Sequence, residues 1–384
     1  MISGKINFKN FYPIIKKNEI KKILKFTLNS NNEVINSLKK NFKLSYDIKK
    51  IKKIQNNSDL RVIGIGGSIL GAKAIYSFLR HKIKKKIIFI DNLEIKNQKI
   101  IKKNFTNLVI SKSGNTLETI INSNLLIKKK DNNIFLTENT NNYLKILAQK
   151  LKSEIIHHNN YIGGRYSVLS ETGMLPAELM GLNTSYFRQL NNLIKRPSFL
   201  NALVRNVNST LFFIKKKKFN SIIINYDKRS ENLLKWYQQL IAESLGKKNL
   251  GILPIISSMP KDNHSLMQLY LDGFKKNFFT FFFVNEPKSS KINNKIILNS
   301  HNFLKNKDLN KILYSQKIAT ENIFKKRSLP FRSFEIKKRD EQSMGELFCF
   351  FILETLLLAQ ALKINPYDQP AVELIKTETK KILI

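Results

Sequence analysis

The side chains here with the best claim to chemistry are a helical carboxylate, an arginine in a glycine bend and a run of loop hydroxyls. In Trp236-Tyr237-Gln238-Gln239-Leu240-Ile241-Ala242-Glu243-Ser244, Gln239 and Glu243 stand four apart and share a helix face. Such a carboxylate could move a proton while the neighbouring amide holds a hydroxyl. A lone helical Glu is ordinarily a solvated side chain, so the pair carries weight only in company. Arg165 lies in Tyr161-Ile162-Gly163-Gly164-Arg165-Tyr166-Ser167, where two glycines permit a tight turn and leave the guanidinium projecting. A fixed guanidinium suits a developing oxyanion, although a surface Arg beside a turn is the plainer reading of that segment alone.

Two loops could seat an anion. Gly64-Ile65-Gly66-Gly67-Ser68-Ile69-Leu70-Gly71 follows a strand and opens a helix, so backbone N–H groups and the positive helix end converge there. Asp91 after the next strand adds a passing likeness to a dinucleotide fingerprint, but Ile69 occupies the place of its third glycine. A structural tight turn explains the same residues equally well. The second loop, Ser111-Lys112-Ser113-Gly114-Asn115-Thr116, clusters three hydroxyls where another helix begins, which makes a phosphate seat without Arg or metal. Taken singly it is an ordinary N-cap with polar neighbours. Two such loops at corresponding ends of parallel strands favour a ligand. His264, in Lys261-Asp262-Asn263-His264-Ser265, sits at an expected helix start, with Asp262 or Asn263 available as a cap. His81, His157, His158 and His301 show no metal-ligand spacing, so no metal is expected.

The elements that must position these residues are strands alternating with helices. The first unit is Val62–Ile65, a glycine loop and a helix over about 70–79, followed by a strand Lys86–Ile90. The second is Leu108–Ile110, the hydroxyl loop and a helix over about 117–129, with a strand Asn133–Leu136 after it. A further alternation runs from Ser221–Asn225 through a helix Asn232–Leu245, apolar segments Gly251–Ile256 and Phe278–Val284, and a helix Ser265–Phe274 between them. This pattern predicts an α/β protein with mainly parallel sheets covered by helices on both faces. Residues 1–58 read as Lys-rich helices, with apolar positions at Ile14, Ile15, Ile20, Ile23 and Leu24. Leu190–Val207, containing Pro197, is the expected crossover between two domains, 59–190 and 191–384. The chain ends in a long helix, Ser343–Leu362, a turn at Asn365-Pro366 and a last helix from Ala371.

At 384 residues there is room for two cores, and 42% hydrophobic content marks a globular chain. A formal charge of +39 would ordinarily point to nucleic acid, yet only ten of the 67 basic residues are Arg, the side chain suited to bidentate recognition. Lys, Ile and Asn recur everywhere, as a coding bias spreading Lys over solvated faces would produce. Such a surface would still attract an anionic substrate. Cys349 is the sole cysteine, so no intrachain disulfide can form and a reducing, cytoplasmic setting is expected. The start of the chain has no apolar signal core. The apolar run Leu347–Leu362, interrupted by Glu354 and Gln360, reads as a buried helix rather than a membrane span.

Taken in order, Gly64–Gly71, Ser111–Glu118, Gly163–Ser167, Gln239–Lys247, His264–Gly273 and Asn365–Lys376 resemble the motif series of the glucose-6-phosphate isomerase family. The closing block Asn365-Pro366-Tyr367-Asp368-Gln369-Pro370-Ala371-Val372-Glu373-Leu374-Ile375-Lys376 makes the likeness specific. The resemblance implies two sugar-isomerase (SIS) domains, a homodimer with active sites at the subunit interface, and aldose–ketose isomerisation of a sugar phosphate. It implies that Ser111, Lys112, Ser113 and Thr116 hold the phosphate, with Gly67 and Ser68 lining the sugar. His264, reaching into the neighbouring subunit's site, and Lys376 would help open the ring. Glu243 would carry the proton between C2 and C1 through a cis-enediol, Arg165 would stabilise its charge, and Gln239 and Gln369 would hold hydroxyls or phosphate. No redox cofactor is expected, because the hydrogen never leaves as hydride. The chain departs from the family pattern at Ile69 and Ala371 and is short before Arg61. The rival readings are a non-catalytic SIS-domain sugar-phosphate sensor and a basic nucleic-acid-binding protein with steeply salt-dependent affinity.

Overall fold

Segments rich in β-branched and aromatic residues form strands buried on both faces: every position of Phe105–Ile110 and of Asn277–Val284 is buried. The computed structural model describes residues 2–12, 19–54, 59–94 and 105–384. Ten strands lie within them: β1 (Ile6–Lys9), β2 (Asp59–Ile63), β3 (Ile87–Ile90), β4 (Phe105–Ile110), β5 (Asn132–Thr137), β6 (Glu154–His157), β7 (Asn220–Asn225), β8 (Leu253–Ser258), β9 (Asn277–Val284) and β10 (Phe331–Ile336). They build two five-stranded sheets, ordered β3-β2-β4-β5-β6 and β1-β10-β9-β7-β8. Every pairing is parallel except β1 against β10.

Helices α1 (Glu19–Asn29), α2 (Glu33–Ser37), α3 (Ile48–Ile54), α4 (Leu70–Phe78), α5 (Leu117–Leu126), α6 (Tyr143–Lys150) and α7 (Glu171–Leu179) accompany the first sheet and its approach. They are followed by α8 (Leu190–Leu193), α9 (Pro197–Lys215), α10 (Glu231–Leu245), α11 (Met267–Asp272), α12 (Leu309–Lys326), α13 (Glu341–Ala361) and α14 (Pro370–Leu383). Pro197 takes the first turn of α9, where its missing N–H costs nothing, so the expected crossover is a helix that the proline starts. One hydrophobic core runs through both sheets' inner helices, from Val62 and Ile75 through Trp236 and Leu240 to Phe348 and Leu357. Its axis is α13, which alone among the described residues is long and apolar enough to cross a membrane; 89% of its most apolar window is buried in the fold. Cys349 lies there, fully enclosed, with burial pushing its thiol up to about 12.

The reading of residues 1–58 as helices needs one correction. Ile6–Lys9 is a strand, an antiparallel edge on the second sheet with Ile6 opposite Ile336 and Phe8 opposite Phe334. The Phe8 and Phe334 rings sit 4.6 Å apart, and Ile6 is fully buried. The strand exists because β10 offers it an open edge more than three hundred positions later, a cause that no local period records. Ile14 and Ile15 lie outside the described residues. The sequence reading also lacks β6 and β10, and the helix expected over Ser265–Phe274 is the shorter α11.

Candidate active site

The site is built where loops from the carboxyl ends of the first sheet meet α10. Strands β2 and β4 are parallel neighbours, so the glycine loop after β2 and the hydroxyl loop after β4 emerge side by side. A Cβ on Gly64 would lie 2.9 Å from the carbonyl oxygen of Ile110, which leaves glycine as the residue that fits this junction. Gly67 packs harder still: its Cβ would stand 2.3 Å from the carbonyl carbon of Gly164 and 2.4 Å from the backbone nitrogen of Arg165. The glycine loop and the Gly163-Gly164-Arg165 bend are thus in backbone contact, which fixes Arg165 against the end of β2.

Arg165 is buried, its side chain 3% exposed, and each part of its guanidinium has a partner. Nε donates to Ser244 Oγ at 3.0 Å. Nη1 donates to Glu243 Oε2 at 3.1 Å and to Gln369 Oε1 at 2.9 Å. Nη2 donates to the carbonyls of Pro366 at 2.5 Å and Asp368 at 3.1 Å. Gln239 Nε2 donates to the other oxygen of Glu243 at 2.9 Å, as their four-residue spacing on α10 allows. The buried Oε1 of Gln239 has no hydrogen-bond partner among the described residues.

Glu243 and Gln369 also line an open cleft of about 860 Å³ between the end of α10 and the start of α14. Lys247 braces its rim, donating to the Asn365 carbonyl at 2.5 Å and pairing with Asp368 at 2.7 Å. That hydrogen bond holds the Asp368 carboxyl below the usual range.

Ser111 and Thr116 share a hydroxyl hydrogen bond of 2.9 Å, with Ser111 buried. Thr116 occupies the N-cap position of α5 yet makes no capping bond, so the simple capping explanation of this loop fails. Ser113 is exposed and accepts from the Asn115 N–H at 3.3 Å. Lys112 donates to the Asn160 carbonyl at 2.8 Å and pairs with Glu138 at 3.4 Å, so its ammonium is held at the mouth of the loop. Ser68 closes the half-buried turn of the glycine loop.

Two expected residues stand apart. His264 is exposed between a short turn and α11, and Asp262 binds Ser257, Ser258 and Ser265 instead of capping that helix. Lys376 is exposed on α14 and pairs with Glu373 at 2.7 Å. Among the described residues no group of three or more His, Cys, Asp or Glu could hold a metal ion. Sequence reasoning missed Ser244, Tyr166 and Lys247. The first two adjoin Glu243 and Arg165 in the chain, a signal that was available; the carbonyls of Pro366 and Asp368 left none.

The profile of the family described as phosphoglucose isomerase matches residues 28–251, more than half of the chain. This chain belongs to the phosphoglucose isomerase family. It is 32% identical over 359 residues to the glucose-6-phosphate isomerase of Methanocaldococcus jannaschii, covering 88% of this chain and 86% of that one. A crystal structure of a hypothetical protein from Thermus thermophilus superposes with a TM-score of 0.83 at 21% identity, covering 95% of this chain and 94% of the other. That of a glucose-6-phosphate isomerase from Chlamydia trachomatis gives 0.73 at 18%, covering 95% and 83%. The two mainly parallel sheets flanked by helices are those expected from the alternation of strands and helices, and their SIS type is what the family resemblance implied. Nothing in these matches favours a non-catalytic sensor or a nucleic-acid-binding protein.

Proposed function

We infer that this phosphoglucose isomerase family member interconverts glucose 6-phosphate and fructose 6-phosphate, an aldose–ketose isomerisation in glycolysis and gluconeogenesis. One observation carries the assignment of residues: Arg165 Nη1 bridges Glu243 and Gln369 while Gln239 holds the second oxygen of Glu243, all beside the glycine loop. In the forward direction the ring opens, and Glu243 takes the proton from C2. A cis-enediol forms, Glu243 returns the proton to C1, and the hydroxyl proton passes from O2 to O1. A positioned general base of this kind is worth roughly 10²- to 10⁴-fold. Arg165 stabilises the charge that develops on the intermediate, from a buried position where a fixed cation acts most strongly.

Ser111, Lys112, Ser113 and Thr116 take the phosphate, Gly67 and Ser68 line the sugar, and Gln239 and Gln369 hold its hydroxyls or the phosphate. Lys376 assists ring opening in a homodimer, together with His264 of the partner subunit. What supports that arrangement is the exposure of His264, together with a last helix, α14, that buries no residue and exposes Leu374, Ile375, Ile382 and Leu383. The division into SIS domains at 59–190 and 191–384 rests on the two sheets, with β1 joining the second. A cytoplasmic setting agrees with the single, enclosed thiol.

The test is a coupled assay of fructose 6-phosphate conversion by the purified protein and by Glu243→Gln. The variant should bind sugar phosphate as the parent does and lose turnover by at least about 10²-fold. Undiminished turnover would remove Glu243 from its role.

A further inference from the structure

The hydrogen bonds around Arg165 close into a ring. Arg165 Nε–H donates to Ser244 Oγ at 3.0 Å, and the Ser244 and Tyr166 hydroxyls lie 2.8 Å apart. Tyr166 Oη donates to the Pro366 carbonyl at 3.2 Å, and that carbonyl also receives Arg165 Nη2 at 2.5 Å. With the Tyr166 proton on Pro366, the Ser244 proton goes to Tyr166, so every donor in the ring has one acceptor and each direction is determined. Ser244 and Tyr166 are both fully enclosed, and burial pushes the Tyr166 phenol up, which keeps it a donor. Helix α10 grips the same arginine a second time, through Trp236 Nε1 donating to the Arg165 carbonyl at 3.2 Å. Trp236, Leu240 and Ser244 form one face of α10, next to the face that carries Gln239 and Glu243.

Resting on the function proposed above, we propose that Ser244 and Tyr166 are positioning residues: they lock the guanidinium of Arg165 so that its Nη1 edge is the one that meets Glu243 and Gln369, the two side chains of this cluster that line the cleft. The physical reason is rotational. With Nε and Nη2 tied to Ser244, Pro366 and Asp368, the guanidinium cannot turn about its Cδ–Nε bond without breaking several charge-assisted hydrogen bonds. The cation is therefore aimed before the substrate arrives, and no reorganisation is needed as the enediol charge develops. Neither hydroxyl reaches the cleft, so neither touches the substrate.

The experiment is steady-state kinetics of Ser244→Ala, Tyr166→Phe, the double variant and Arg165→Gln, with a melting curve for each. Both single changes remove an oxygen without adding volume. Each should lower kcat roughly 10- to 100-fold, the scale of a misdirected catalytic group, and leave KM within about three-fold. Because the two hydroxyls serve one ring, the double variant should be no more than about three-fold worse than the poorer single one. Losses that multiply, that fall in KM, or that are absent from either single variant would overturn the inference. An impaired Arg165→Gln beside fully active Ser244→Ala and Tyr166→Phe overturns it alone. An unimpaired Arg165→Gln removes the proposed role of Arg165 as well.

Discussion

Replacing Glu354 with Gln removes a charge, and almost no volume, from an ion pair shut away from solvent. The side chains of Arg332 on β10 and Glu354 on α13 are 2% and 1% exposed. Glu354 Oε1 accepts from Arg332 and from Asn206 on α9, and Oε2 accepts from Tyr237 on α10 at 3.0 Å. Arg332 is further bound to Thr280, Asn206 and Tyr237. The cluster ties the helix carrying Glu243 to the second sheet.

Glu354→Gln leaves a buried guanidinium without its counter-charge, and breaking such a pair costs about 3–5 kcal/mol. The amide can still accept from one neighbour, so the lower end, about 3 kcal/mol, is expected. That is a large share of the roughly 5–15 kcal/mol by which a protein is stable. The combined Arg332→Met, Glu354→Leu variant removes both charges and should recover part of the loss. It still leaves Tyr237 and Asn206 short of partners, at about 1–3 kcal/mol each. Urea unfolding followed by the fluorescence of Trp236, the single tryptophan, enclosed on α10, reads the transition directly. A loss below about 1 kcal/mol in Glu354→Gln would refute the claim that the pair is desolvated and unrelieved.

Other outcomes follow from the same geometry. Mixing Glu243→Gln with His264→Gln protein, each inactive alone, should restore about a quarter of parental activity by random dimer exchange, since each mixed dimer regains one complete site; no recovery would assign His264 to its own subunit or to no role. Gly67→Ala must displace the backbone of Gly164 and Arg165, which has no side chain to yield, so kcat/KM should fall at least about 10²-fold in the coupled assay. Activity near that of the parent would show that the bend tolerates movement. Burial pulls the His158 imidazole down to about 4, so between that value and its ordinary 6.5 the unfolded chain binds more protons than the folded one. Stability is then complete above pH 6.5 and declines as pH falls towards 4, by up to about 3 kcal/mol. His158→Gln should flatten that limb in urea unfolding across the pH series, and an unchanged slope would assign the acid loss to other groups.

Residue order alone determined the layered α/β architecture, because a strand buried on both faces and an amphipathic helix each write their environment into a handful of adjacent residues. Thus β2, β4, β7 and β9 were legible, as were the glycine loop that follows β2 and the hydroxyl loop that follows β4. The motif series named the residues of the site by resemblance, without saying which of them touch. Tertiary structure decided that Arg165 meets Glu243 and Gln369, which stand 78 and 204 positions away, through one nitrogen. It also turned Thr116 from its helix towards Ser111 and made Ile6–Lys9 a strand by lending it the edge of β10. These outcomes depend on surfaces assembled from distant segments, and the energy of such a contact is stored in no single stretch of chain.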